Sequence, residues 1–358
     1  MNLHRMADEL VAALGGLYGD GTKFFRDGTE SPHVSEVAAE TRLSVSKAGS
    51  ILELEEGQEM MVQAAHGAFS APVRYTVLRW TGPQAPTLIY HHGSGESNYA
   101  ARIRRIAGRM DDGQGTSGLD GAGRASGASA SGAARRVSAA EAATSGPANI
   151  IACSVPYNHS LKEYLYGAAR LDRWVFLLAA SVRLTEALTS RLREMGCPHI
   201  VCAGLSLGGW ITNLHHTYFD TCDVYSPIFA GAALDDLFTE SIYRKLLASS
   251  ARDSGERFRE ALNFEKDFTA RGTENVYPVM ARFDRFIRFE RQAGIYRGEQ
   301  MTVLERSHTT GAVAYARLAE HLTRRLFSPP ARGAARGSGA SRTPGAAGSD
   351  HSHRGGGA

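Results

Sequence analysis

Apolar positions along this chain fall into runs of two kinds that take turns. The first kind is short and continuous. It occurs in APTLIYHHGSGE (85–96), ANIIACSVPYN (148–158), PHIVCAGLS (198–206), DVYSPIFAG (223–231), VYPVMARFD (276–284) and EQMTVLERSH (299–308). Unbroken apolar runs of this length fit strands covered on both faces, as in a parallel sheet. Ahead of them, EMMVQAAHG (59–67) and VRYTVLRW (73–80), with Pro72 before the second, predict an antiparallel hairpin or meander. The second kind is helical. Leu171, Trp174, Val175, Leu178, Val182, Leu188, Leu192 and Met195 recur at spacings near three and four until Gly196 and Pro198 stop the helix. Further helices are predicted at about 99–110, at 207–218 directly after a strand, and over Tyr315, Leu318, Leu322 and Leu326. Residues 3–17 read as an amphipathic helix; 34–50 are ambiguous, a second helix being one reading. Strands alternating with helices behind an antiparallel start predict an α/β fold, with a mainly parallel central sheet and helices on both faces.

Two stretches interrupt this pattern. Of the 37 residues in 111–147, 24 are Gly, Ala or Ser, as are 20 of the 31 in 328–358. Neither holds enough large apolar side chains to offset the entropy of ordering it, so both are expected to be disordered. The strands on either side of 111–147 are needed for one sheet. The stretch is therefore an expanded loop inside a single domain at 58–327, and not a linker. Residues 1–57 read as an N-terminal helical extension, an added cap or a dimer contact, with oligomeric state left open. Residues 235–270 are charged and helical, and read either as a small lid or as ordinary surface helices.

Charge narrows the class of partner. The tail carries Arg332, Arg336, Arg342 and Arg354 against Asp350, which accounts for the whole formal excess of +3. The remaining chain is close to neutral, which gives no electrostatic case for nucleic acid or anionic lipid. Asp8 and Glu9 interrupt the only apolar stretch at the N-terminus, against a secretory leader, and no run approaches membrane-span length. A cytoplasmic protein without a stable membrane anchor is expected. Cys153, Cys197, Cys202 and Cys222 match no zinc spacing and are too few for a disulfide scaffold; three of them sit in or beside apolar runs, where buried free thiols are expected, and no metal site is expected.

The candidate chemistry centres on Gly204-Leu205-Ser206-Leu207-Gly208. A G-x-S-x-G match counts only in the right context, and here a buried strand precedes the serine and a helix follows it. A serine pinched between the two is presented at the carboxyl edge of the sheet, where α/β sheets bind ligands. A serine hydroxyl needs a base. His215 and His216 lie about three turns along the following helix and point elsewhere. His308 ends the last strand, in a polar loop before the final helix, and is the candidate. A carboxylate must then fix the imidazole tautomer. Asp284 follows the preceding strand; Asp235 and Asp236, after an earlier strand, are its rivals. An oxyanion hole would draw on the backbone N–H of Leu207 and, from the loop His91-His92-Gly93-Ser94-Gly95, that of Ser94.

Taken together these residues resemble the α/β-hydrolase superfamily, over about residues 58–327 and in the chain order Ser206, Asp284, His308. The resemblance implies a serine hydrolase that cleaves an ester, thioester or amide of a small-molecule acyl substrate, without a cofactor. An acyltransferase or peptidase on the same scaffold, and a non-catalytic binding protein that keeps the fold, are the alternatives. The insert at 111–147 and residues 1–57 depart from the pattern of the superfamily.

Overall fold

The computed structural model describes residues 3–17, 23, 25–45, 52–111 and 147–328. The expectations of disorder for the insert and the tail therefore fall almost wholly outside the described residues. Each of the eight strand signals becomes a strand: β2 (Glu59–His66), β3 (Phe69–Arg79), β4 (Thr87–His91), β5 (Asn149–Ser154), β6 (Ile200–Leu205), β7 (Val224–Ile228), β8 (Val279–Ala281) and β9 (Thr302–Leu304). A ninth, β1 (Arg42–Val45), precedes them, and the sheet order is β1-β2-β3-β5-β4-β6-β7-β8-β9. The pairings from β1 to β3, and of β3 with β5, are antiparallel; those among β5, β4, β6, β7, β8 and β9 are parallel.

The continuous runs are continuous because both faces of the sheet are covered. Ile89, Ile151 and Cys202 enter one core with Val175, Leu178 and Leu188 of α5 (Leu171–Glu194) and Trp210 and Ile211 of α6 (Leu207–Tyr218). Their neighbours Leu88, Tyr90, Ile150 and Val201 enter a second core. There they meet Ile103 and Ile106 of α3 (Ala101–Asp111) and Leu318 and Leu322 of the closing helix Tyr315–Phe327. Alternate residues of each strand thus reach opposite layers, as the two-residue repeat of a strand requires. The four cysteines are free and buried. Among the described residues no helix is long and apolar enough to cross a membrane.

One expectation for residues 1–57 is corrected. The ambiguous stretch 34–50 divides into a helix, α2 (Val34–Glu40), and the strand β1, so the extension is not wholly helical. Arg42–Val45 pairs antiparallel with Val62–Ala65 and covers backbone groups that β2 would otherwise leave open at the sheet edge. The helix expected at 3–17 is α1 (Leu3–Gly16). Leu3, Met6, Leu10 and Leu14, with Leu17 just beyond, lie on the exposed side, while Asp8 and Ala12 are buried. The helix is amphipathic, as predicted, but its polar side faces the protein, because that side carries the contacts described below.

Residues 235–270 form short helices at Asp236–Thr239, Ser249–Arg252, Gly255–Leu262 and Glu265–Arg271. They are built into the body. Phe238 stands edge-on to Trp174 of α5 at 5.2 Å and stacks on Phe258 at 4.7 Å. Phe25 reaches the same cluster, its N–H donating to the Leu246 carbonyl and its own carbonyl accepting from Ala248.

Candidate active site

The turn from β6 into α6 is steric in origin. Ser206 sits at φ 54°, ψ −110°, left-handed backbone that an L-residue holds only when its surroundings enforce it. Its N–H donates to the Ile228 carbonyl at 2.7 Å, which ties the turn to the end of β7. The glycines of the motif allow the close approach. A side chain at 204 would overlap the backbone of Gly208, and one at 208 would overlap the carbonyl of His91 at the end of β4. Helix α6 therefore starts hard against the neighbouring strand, with the serine hydroxyl at the carboxyl edge of the sheet.

The loops after β8 and β9 bring two further side chains to that edge. His308 Nε2 lies 3.0 Å from Ser206 Oγ, and His308 Nδ1 lies 2.7 Å from Asp284 Oδ2. A carboxylate can only accept, so Nδ1 carries the proton and Nε2 is left to accept from the serine hydroxyl. The other oxygen of Asp284 accepts from the N–H groups of Phe286 at 2.9 Å and Ile287 at 2.7 Å, fixing the carboxylate in its plane. Burial pushes the Asp284 carboxyl up, with His308 and the Ile287 N–H pulling against it. Burial pushes His308 down, but the Asp284 carboxylate and its hydrogen bond outweigh this and hold the imidazole above its usual range. The rings of Phe229 and Phe286 flank His308 at 5.7 and 5.5 Å. Tyr243, in a 3₁₀ turn at Ile242–Leu246, stands edge-on to Phe286 at 6.5 Å and connects residues 235–270 to this wall.

Leu207 is the first residue of α6, where N–H groups have no partner within the helix. Ser94 is an exposed residue of the loop after β4, the strand that pairs with β6 and whose last carbonyl touches Gly208. That loop is held from below. His91 Nε2 bonds Thr185 Oγ1 at 2.7 Å, and His92 Nε2 accepts from the N–H of Val155 at 3.3 Å. Burial keeps both imidazoles neutral, with pKa values down to about 3 and about 4. The rival acids are engaged elsewhere: Asp236 pairs with Arg288, and Asp235 accepts from Asn263 at 2.8 Å. His215 and His216 are buried on α6, bonded to Glu186 and to the Gly272 carbonyl. Among the described residues no group of three or more His, Cys, Asp or Glu side chains is arranged to hold a metal ion.

The geometry also contains residues that the sequence reading did not connect with the site. Phe229 and Phe286 lie beside His308 through long-range packing that no local pattern encodes. Arg102 of α3 pairs with Glu96 at 2.8 Å and donates to the Ala312 carbonyl, joining the loop after β4 to the turn that begins at His308. Asp8, read only as a polar break in an apolar stretch, is buried against the backbone of His308.

No protein-family model matches the chain, and no curated protein sequence matches it. Solved structures do. Acetyl xylan esterase 1 from a Thermoanaerobacterium species is similar at 9% identity and a TM-score of 0.47, over 84% of this chain and 96% of that one. Est1E from Butyrivibrio proteoclasticus is similar at 13% identity and a TM-score of 0.43, over 74% and 96%. Pyrococcus horikoshii acylaminoacyl peptidase is similar at 12% identity and a TM-score of 0.43, over 76% of this chain and only 40% of that one. Independently of these likenesses, an antiparallel start, six parallel strands with β5 and β4 exchanged in order, and a strand–serine–helix turn at the carboxyl edge give this chain the α/β-hydrolase fold.

Proposed function

We propose that the chain is a serine hydrolase that cleaves a carboxylic ester, with thioesters and amides as related substrates, through an acyl-enzyme on Ser206. The observation that carries this reading is the unbroken series Ser206 Oγ, His308 Nε2, His308 Nδ1 and Asp284 Oδ2, with contacts of 3.0 and 2.7 Å. His308 takes the hydroxyl proton as Ser206 Oγ attacks the acyl carbon, and the imidazolium is stabilised by Asp284. The N–H groups of Leu207 and Ser94 donate to the oxyanion of the tetrahedral intermediate. The imidazolium returns its proton to the departing alcohol. Water, deprotonated by the same histidine, then attacks the acyl-enzyme; the acid is released as the imidazolium returns that proton to Ser206 Oγ.

Acyl transfer and peptide cleavage use the same first half-reaction, and the acceptor or leaving group decides between them. The deciding experiment is a panel of esters varied in acyl length and head group, with thioesters and amides alongside, run on the purified protein and on Ser206→Ala. Ester turnover that falls by several orders of magnitude in Ser206→Ala, with folding unchanged, is the expected result. Retention of more than about a tenth of the activity, a barrier change of only ~1.4 kcal/mol, would remove Ser206 from the mechanism. No turnover by the folded wild-type protein on any ester, thioester or amide would favour a binding role.

A further inference from the structure

The carboxylate of Asp8 is completely buried, yet no basic side chain is bonded to it in the contacts that hold it. Three backbone N–H groups donate to it instead. Asp8 Oδ2 accepts from Arg285 at 3.1 Å and from His308 at 3.1 Å, and Asp8 Oδ1 accepts from Thr309 at 2.9 Å. Arg285 directly follows Asp284. One side chain from residue 8 therefore grips the backbone of the histidine and the backbone next to the acid, which lie on separate loops. Charge-assisted hydrogen bonds of this kind are the strong ones, and a buried carboxylate with three donors is well satisfied.

The rest of α1 is arranged around that grip. His4 Nδ1 bonds Thr310 Oγ1 at 2.9 Å, and Glu9 pairs with Arg285 at 3.1 Å and with Lys245 at 3.0 Å. The apolar side chains Leu3, Met6, Leu10 and Leu14 point away. A helix that covers a core normally turns its apolar stripe inward. This one is seated by polar contacts to the two loops that carry Asp284 and His308.

We propose that Asp8 is a positioning residue for the Ser206–His308–Asp284 series, and that α1 is part of the active-site scaffold and not a detachable extension. The inference rests on the hydrolase reading given above. It acts through geometry: without the carboxylate, the loops after β8 and β9 lose their common anchor, and the 2.7 and 3.0 Å contacts of His308 loosen. Misplacement by about 1 Å is enough to cost on the order of 10²-fold in rate. It also acts through charge. The charged groups that face His308 are Asp284, Asp8 and Arg102; the two carboxylates favour the imidazolium and the guanidinium opposes it.

The test compares wild type with Asp8→Asn on one small ester across pH. Asn keeps the size but loses the charge and one acceptor oxygen. The expected result is a kcat lowered by about tenfold or more with KM within about twofold, together with a shift of the acidic limb of the rate profile to lower pH. A role confined to folding would lower the yield or melting temperature of Asp8→Asn and leave the pH limb where it was. Should Asp8→Asn not be recovered folded, Asp8→Ser, with a hydroxyl and room for water, takes the same measurement and the same expected result. Wild-type kcat and an unmoved limb in either folded variant overturn the proposal. Failure of the hydrolase reading is separate, since it would appear as ester turnover that survives Ser206→Ala.

Discussion

Ser206 occupies a backbone conformation that most residues avoid, and the bonds around it explain why it stays there. Its N–H is held by Ile228, its hydroxyl faces His308 Nε2, and the imidazole is held in turn by Asp284. In Asp284→Asn the amide can donate to Nδ1 and stabilise the wrong tautomer, leaving Nε2 protonated and unable to accept from serine. Ester kcat should fall by ~10²-fold or more, since losses of order 10⁴ accompany this change in established Ser-His-Asp triads. Asp235→Asn and Asp236→Asn, whose carboxylates are spent on Asn263 and Arg288, should stay within about threefold of wild-type kcat. A silent Asp284→Asn beside a damaging Asp236→Asn would reassign the acid. The pH dependence follows from His308. The base works only when neutral, and Asp284 holds its pKa above the ordinary value, so activity is lost as pH falls through that raised value. The acidic limb of kcat/KM, measured on a small ester, should have its midpoint above about 6.5, the value of an unperturbed histidine. A midpoint below it would mean that burial outweighs the carboxylate.

The elements that carry these residues were legible to different degrees. β4 through β8 could be read from the chain because each is buried on both faces, so its run is mostly apolar; β9, at the sheet edge, is only partly buried and shows itself by Val303 and Leu304. The candidate residues could be picked out in the same way: Ser206, Asp284 and His308 each come directly or a few residues after an apolar run. β1 was not legible, since Arg42, Leu43 and Ser44 form a short edge strand with little apolar content and its identity depends on pairing with Val62–Ala65. The seating of α1 was also hidden. Asp8 advertises itself as a polar residue in an apolar stretch, but nothing local says that its partners are 277 to 301 residues away. Close approach of elements is easier to foresee. Gly208 lets α6 start against the His91 carbonyl, and Gly208→Ala forces these two elements apart. Overpacking of this sort costs roughly 1–3 kcal/mol, so Gly208→Ala should lower the denaturation midpoint by a corresponding amount and reduce ester turnover as the loop carrying Ser94 shifts. Chemical denaturation alongside activity checks both, and an unchanged midpoint would show that the strand and helix yield without cost.

At the scale of the molecule, the sheet is one body closed from both sides, and the long insert leaves and re-enters it at one place. Arg79, at the end of β3, pairs with Asp111 at the end of α3 and lies in register with Ile150 at the start of β5. Both flanks of the insert therefore meet at the same residue, and a short linker can join them. Doubling a loop changes its closure cost by only about 0.6 kcal/mol, so replacing 113–145 with a short Gly-Ser linker should leave melting temperature and ester kcat/KM close to wild type. A large loss on both a small and a bulky ester, in a folded protein, would give the insert a functional role. The N-terminal segment is bound to the body at several points instead: β1 extends the sheet, Phe25 joins the aromatic cluster with Phe238 and Phe258, and Asp8 reaches the loops of the site. All of this bears on one claim, that Ser206 is an activated nucleophile. The most direct measurement is covalent: react the protein with a fluorophosphonate, then locate the adduct by intact mass and peptide mapping. One adduct per chain is expected, on Ser206, formed more slowly as pH falls through the His308 pKa and absent from Ser206→Ala. A folded wild-type protein that takes up no probe, or carries it on another residue, would contradict it.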